Sequence, residues 1–296
     1  MEHRPDILCI GAVLWDIIGR SDAPMVLGND KPGQITRVPG GVALNIAMTL
    51  TRFGLRPALL SVVGEDADGQ QLRAACAEMG LDVAHMLVDP SLPTDRYMAI
   101  EAQGALIAAI AHAHSLEKAG ARILAPLADG RLAGEDAPWA GPVALDGNLT
   151  EALLHDIAES PLFAEADLRI APASPGKALR LRPLLSHPRA TIYVNREEAG
   201  LLTDSHPANA AAAAAALIEA GARRVLVTEG AQMAIDACAE TSLSAVPPAV
   251  EARRITGAGD TFMAAHIAAE VAGKSREDAL NAAVEAAATY VSGDTL

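Results

Sequence analysis

The chain has 296 residues, 51% of them hydrophobic, 20% charged and 3% aromatic, and 23 Lys and Arg stand against 37 Asp and Glu for a net charge of −14. This length and apolar fraction suit one α/β domain that buries its own core, and they exclude a disordered chain. The acidic balance excludes a nonspecific nucleic-acid or anionic-membrane binder, which needs basic patches to displace counterions, but it is silent about a small anion gripped locally.

In chain order, a compact apolar strand is predicted over residues 7–11, then extended and partly alternating segments over 14–20 and 34–38. Apolar residues at helical spacing follow over 42–53, a strand over 58–63, and a helix over 69–79 closed by Gly80. Residues 95–110 again look extended, with a loose hairpin turn at Gln103-Gly104. Strands are predicted over 143–146, 168–171, 191–195 and 224–228, with helices between them, and the chain ends in helices over 258–272 and 275–291. Such alternation predicts an α/β fold whose central sheet is mostly parallel, with helices on both faces. The whole of 1–296 reads as one domain, with a small β-sheet flap from about 14–38 and 95–111.

Cys9, Cys76 and Cys238 are far apart and have no metal-site spacing, so they read as reduced thiols. The start of the chain lacks the apolar core of a signal peptide, and the longest apolar runs, 105–111 and 210–216, fall short of the ~18–20 residues of a membrane span. A cytoplasmic protein is expected.

Some familiar patterns fail on inspection. Gly273-Lys274-Ser275 resembles the end of a P-loop, but the earlier glycine it requires is Ala268, inside a predicted helix. Gly257-x-Gly259 lacks the third glycine of a dinucleotide fingerprint, since Phe262 stands there. His112-x-His114 has no cysteine or carboxylate pair nearby, and Trp15 and Trp139 are too few to form a stacking platform.

The sharpest segment is Arg254-Ile-Thr-Gly-Ala-Gly-Asp260, directly before a helical pattern. Gly257, Ala258 and Gly259 would form the first turn, where free amides and the helix dipole favour an anion. Asp260 beside such an anion makes sense if it accepts a proton, as a phosphoryl transfer requires; an ordinary acidic first turn explains it equally well. Pro39-Gly-Gly-Val-Ala-Leu-Asn45 also opens a helix: Gly40-Gly41 can hinge, and Asn45 offers a donor and an acceptor to a sugar hydroxyl. Asn195-Arg-Glu-Glu198 follows a strand end, where an amide and a carboxylate can hold water around Mg²⁺ or simply cap the helix. Thr228-Glu-Gly230 ends another strand at the same edge and can flank a nucleotide.

Together with Gly11…Asp16, these motifs occur in one order along essentially the whole chain, and in that order the sequence resembles the ribokinase/PfkB family of ATP-dependent carbohydrate and nucleoside kinases. Within that family it is most similar to pseudouridine kinases, through Lys31-Pro-Gly-Gln-Ile, Pro39-Gly-Gly-Val…Asn45-Ile-Ala and Asp146-Gly-Asn148-Leu. The resemblance implies a three-layer ribokinase-like fold with a β-lid and a homodimer through that lid. It also implies that Asp260 is the catalytic base, that Gly257, Ala258 and Gly259 form the anion hole, and that Asp16, Gly41 and Asn45 bind substrate. Asn195 and Glu198 would organise Mg²⁺ and phosphates, Glu198 through water, while Thr228, Gly230 and Asn281 would border ATP.

Two positions depart from the family pattern. Arg254-Ile255 replaces the usual Asp-Thr, which speaks against the monovalent-cation site of some relatives, and Met233 replaces a glycine of the nucleotide loop. Arg254 itself could contact phosphate or be solvated. The implied activity is phosphorylation of a primary hydroxyl on a ribose-like substrate, pseudouridine first. The alternatives are kinases of ribose, fructose or 2-keto-3-deoxygluconate, and a non-catalytic sugar or nucleoside sensor, which would have no need of a base at Asp260.

Overall fold

The computed structural model describes residues 4–103 and 105–294; Gly104, expected at the flap turn, lies outside them. The first half of the chain comprises β1 (Ile7–Ile10), β2 (Leu14–Ser21), β3 (Gln34–Gly40), α1 (Val42–Arg52), β4 (Pro57–Leu60), β5 (Val62–Gly64), α2 (Ala67–Glu78), β6 (Leu87–Asp89), β7 (Arg96–Ala102) and β8 (Ala105–His112). Short helices α3 (Ser115–Ala119) and α4 (Ala125–Ala128) lead to β9 (Pro142–Asp146), α5 (Glu151–Glu159), β10 (Asp167–Ala171), α6 (Arg182–Leu185), β11 (Ala190–Asn195) and α7 (Arg196–Thr203). The chain continues through α8 (Ala210–Glu219), β12 (Arg224–Thr228), β13 (Ala234–Cys238), β14 (Ser242–Ala245), α9 (Ala258–Val271) and α10 (Arg276–Ser292).

The main sheet has eight strands in the order β14-β13-β12-β11-β10-β9-β1-β4. Neighbours from β4 to β12 pair in parallel, and β13 and β14 add an antiparallel edge. Strand side chains alternate between faces, and the core divides accordingly. Leu8, Ile10, Leu145, Ile170, Ile192 and Val225 pack with α5, α7 and α8, whereas Ile7, Cys9, Ala144, Tyr193 and Leu226 pack with α1, α9 and α10. The expected three layers follow directly from strands that are apolar on both faces.

A second sheet, in the order β3-β2-β7-β8, stands apart from the first. Its strands are those of the predicted flap. β8 is exposed along its whole length, and the β7–β8 pairing shifts register between Ile100 and Glu101.

The single strand expected over 58–63 is two. Pro57–Leu60 pairs with β1, while Val62–Gly64 turns away to pair with β6. One apolar run carries no mark of a change of partner, so the break at Ser61 is invisible to periodicity. The helix expected from Gly69 starts at Ala67, because the Asp66 carboxylate caps it by accepting the Gly69 N–H at 2.7 Å. Among the described residues no helix is long and apolar enough to cross a membrane.

Candidate active site

Parallel strands deliver the groups at their carboxyl ends to one edge. Asp146 ends β9, and Asn195 and Thr228, the last residues of β11 and β12, are register partners in the ladder. The loop after β1 and the start of α1 reach the same edge, because the Asp146 carboxylate ties them there. Its Oδ2 accepts the amides of Ala12 at 2.8 Å and Ala43 at 3.0 Å, and its Oδ1 accepts the amide of Asn148 at 2.6 Å. Asp146 is fully buried, and burial pushes its pKa up, opposed mainly by those amides.

Glycines let these segments meet. At Gly41, with φ +105°, a Cβ would come within 2.4 Å of the Ala12 carbonyl oxygen. At Gly40 it would come within 2.0 Å of Asp16 Oδ2. Asp16, on β2 of the second sheet, therefore lies flat against the entry to α1. It is half-buried, and desolvation raises its pKa to about 6.

Asn45, one turn into α1, donates from Nδ2 to Asp260 Oδ2 at 2.8 Å. α1 and α9 pack on the same face of the sheet, which brings together residues 215 apart in sequence. Asp260 lies in the first turn of α9, half-buried. Desolvation raises its pKa to about 7; the Asn45 hydrogen bond opposes the rise, and the charges of Asp146 and Glu198 add to it. A carboxylate tuned near neutrality suits proton transfer.

The turn before Asp260 fits an anion, with one adjustment. Gly257 caps α9 at φ +92°, and a Cβ there would meet the Tyr290 hydroxyl at 2.6 Å. Gly259 faces open space. Among the described residues the amides of Gly257, Gly259 and Asp260 have no backbone acceptor, but the Ala258 N–H is engaged by the Ile255 carbonyl at 3.1 Å. Expected as one of the anion donors, Ala258 instead secures the turn.

Asn195 and Glu198 form a reciprocal capping box on α7, with hydrogen bonds of 2.9 and 2.8 Å. Glu198 is buried, which raises its pKa to about 6, with the Asn195 amide opposing. Its Oε2 takes that amide, and its Oε1 has no hydrogen-bond partner among the described residues. No group of three or more His, Cys, Asp and Glu able to hold a metal occurs among them. This donor set fits an Mg²⁺ that arrives with phosphates and keeps its waters, not one caged by protein.

Beside this box, Gly230 takes φ +57° with open space around it, and Glu229 between Gly230 and Thr228 is tied to Arg196 at 2.8 Å and to the Ala210 amide at 2.9 Å. The backbone of Thr228-Glu-Gly230 is thus anchored while its surface stays free. Asn281 is exposed on α10, and no hydrogen bond connects it to this loop. Arg254 is exposed and held against α10. It stacks on Tyr290 at 3.9 Å and donates to the Tyr290 carbonyl at 2.6 Å.

The sequence matches the family described as pfkB family carbohydrate kinase over residues 4–294. The chain belongs to this family. It is a sugar or nucleoside kinase, a phosphotransferase acting on an alcohol group. It is 29% identical over 274 residues to the pseudouridine kinase of Escherichia coli, covering 89% of this chain and 83% of that one. A carbohydrate kinase from Agrobacterium tumefaciens superposes with a TM-score of 0.79 at 26% identity, covering 95% of this chain and 89% of the other. Arabidopsis thaliana ribokinase, solved with ribose and ATP, shares the fold with a TM-score of 0.77 at 20% identity, covering 98% and 93%.

Two residues of this pfkB kinase stand at the site without having been anticipated for it. Asp146 carried only a resemblance in the sequence, yet it ties three segments together at the carboxyl edge of the sheet; the Asp-Gly-Asn turn after a strand was the available signal. Lys177 donates to Asn148 Oδ1 at 2.6 Å, and desolvation lowers its pKa. No local pattern marks it. His112 ends the exposed strand β8, and His114 precedes α3 without capping it through its side chain.

Proposed function

We propose that this kinase transfers the γ-phosphate of ATP to a primary hydroxyl of a ribose-like acceptor, pseudouridine foremost. The observation that carries this reading is the Asn45–Asp260 hydrogen bond of 2.8 Å, set against the free amides of Gly257, Gly259 and Asp260. Asp260 takes the proton as the hydroxyl attacks, worth about 10²–10⁴ in rate. The free amides meet the charge that develops on the phosphoryl oxygens, roughly 3–4 kcal/mol for a well-placed donor. Asn45 retains its carbonyl oxygen and a second N–H for the acceptor, and with Asp16 and the Gly41 backbone it orients the sugar hydroxyls.

Asn195 and Glu198 would hold Mg²⁺ through water, and Thr228, Gly230 and Asn281 would border the nucleotide. When bound, the ion supplies neutralisation of phosphate charge. The second sheet serves as a lid that excludes water from the transfer. Its outer face carries Ile35, Met98, Ile100 and Ile110, all exposed, which supports a homodimer formed through paired lids.

Similarity to the Escherichia coli pseudouridine kinase over most of both chains supports pseudouridine as acceptor. A coupled ADP-release assay over pseudouridine, uridine, adenosine, ribose, fructose and 2-keto-3-deoxygluconate tests it. Pseudouridine should show the highest kcat/KM, by at least about tenfold. A higher value for another acceptor would reassign the substrate, and no ADP with any of them would point to an acceptor outside the panel.

A further inference from the structure

We propose that the cavity at the amino-terminal edge of the main sheet is a second binding site, for a small phosphate-bearing anion. It measures about 290 Å³, close to the lower end of ordinary ligand pockets. Arg169, Arg189, Arg223, Arg224, Arg276 and Cys238 line it. Five guanidinium groups converge here in a chain whose net charge is −14.

The strand register places the cavity. Arg169, Thr191 and Arg224 are neighbours across β10, β11 and β12 at the starts of those strands. Asn195 and Thr228 lie on the same sheet face at the opposite ends. α9 spans the distance, with Asp260 in its first turn and Glu270 near its last, about 15 Å of helix between them. The cavity is therefore separate from the candidate active site, and its existence does not depend on the proposed reaction.

The charges balance on the floor of the cavity but not at its rim. Asp236 binds Arg224 at 2.6 and 2.9 Å and Arg276 at 2.6 Å, while Glu270 binds Arg169 and, at 2.8 Å, Arg224. Three guanidiniums on the floor thus share two carboxylates, the buried Asp236 and the partly exposed Glu270. Their third counter-charge, Asp167, sits at the mouth with 44% of its side chain exposed. At the rim the Arg189 side chain has no carboxylate partner among the described residues and donates to the Glu165 carbonyl at 3.0 Å. Arg223 has only the exposed Glu240, at 3.9 Å. His266, buried behind the floor, stays neutral because burial pushes its pKa to about 4. Two rim forks without firm partners above a charge-balanced floor leave guanidinium donors that phosphate oxygens satisfy bidentately.

Cys238 supplies the reporter. It is half-exposed with its sulfur 3.2 Å from Arg276 Nη1, whereas Cys9 and Cys76 are buried. Labelling of Cys238 by the neutral thiol reagent monobromobimane is followed at constant ionic strength with increasing inorganic pyrophosphate. Pyrophosphate should slow labelling at least about threefold, with saturation. In the Arg189→Gln/Arg223→Gln double variant the half-protecting concentration should rise at least about tenfold, the loss expected for removing charge-assisted contacts. Thermal melting of the double variant alongside wild type establishes that it is folded, since both substituted residues are at the rim. Labelling indifferent to pyrophosphate in the wild type, or equal protection in the folded double variant, would overturn the proposal.

Discussion

The Asp146 carboxylate lies directly against Gly11, so close that a Cβ on Gly11 would come within 2.2 Å of Oδ2. One buried carboxylate thereby joins the end of β1, the start of α1 and the turn after β9. Asp146→Ala leaves the amides of Ala12, Ala43 and Asn148 without their acceptor. With roughly 1–3 kcal/mol for each unsatisfied group, a loss of at least about 3 kcal/mol in urea unfolding is expected. Gly11→Ala should cost less stability but raise KM for the acceptor, because Asp146 must shift and the Gly41–Ala43 segment with it. Unchanged KM in a folded Gly11→Ala protein would count against this coupling.

Asn45 donates to Asp260 and under the proposed mechanism also faces the acceptor, so Asn45→Ala should lower kcat about ten- to a hundredfold and raise KM for the acceptor. KM for ATP should hold. Steady-state kinetics with each substrate varied in turn separates the effects. A change confined to the ATP constant would remove Asn45 from the acceptor side.

Asp260, Asp16 and Glu198 all have folded-state pKa values raised, to about 7, 6 and 6, with burial the largest cause of each. The folded protein therefore binds more protons than the unfolded chain between the ordinary carboxylate range and neutrality. Stability from these groups is fully present below about pH 4 and lost as pH rises through about 6 to 7. Asp260→Asn removes one such charge and should stabilise the unliganded protein at about pH 8 by on the order of 1–2 kcal/mol. That figure is discounted from 1.36 kcal/mol per pKa unit because the group is partly solvated. Urea unfolding at both ends of the range should show the gap closing toward about pH 4. A variant less stable than wild type at pH 8 would contradict the assignment.

Much of the site was legible because its chemistry is local. A glycine turn ahead of a helix, an Asn-x-x-Glu box and a Thr-x-Gly strand end each fit within a few residues, and parallel strands carry them to one edge. The distant partnerships were not legible. Asp146 acts through amides of residues 12 and 43, and Arg169, Arg224, Glu270 and Arg276 meet from separate elements. β13 and β14 escaped notice because AIDAC and SLSA carry few β-branched or aromatic residues. Arg254 could be read as solvated or phosphate-bound because nothing nearby in sequence announces Tyr290, 36 residues on.

The exposed face of the second sheet carries the proposed dimer. Ile110 is 70% exposed on the outer face beside Met98. Under the proposed dimer, Ile110→Glu places a charge in the interface and should shift sedimentation from dimer to monomer at micromolar concentration. A wild-type protein that sediments as a monomer would remove this role from the lid face.

The proposed proton-acceptor role of Asp260 is tested most directly by Asp260→Asn, which keeps the size of the side chain and an acceptor oxygen for Asn45. Turnover of the best acceptor should fall at least about a hundredfold while ATP still binds within a fewfold of wild type, measured by calorimetry. Near-normal turnover in that variant would contradict the account.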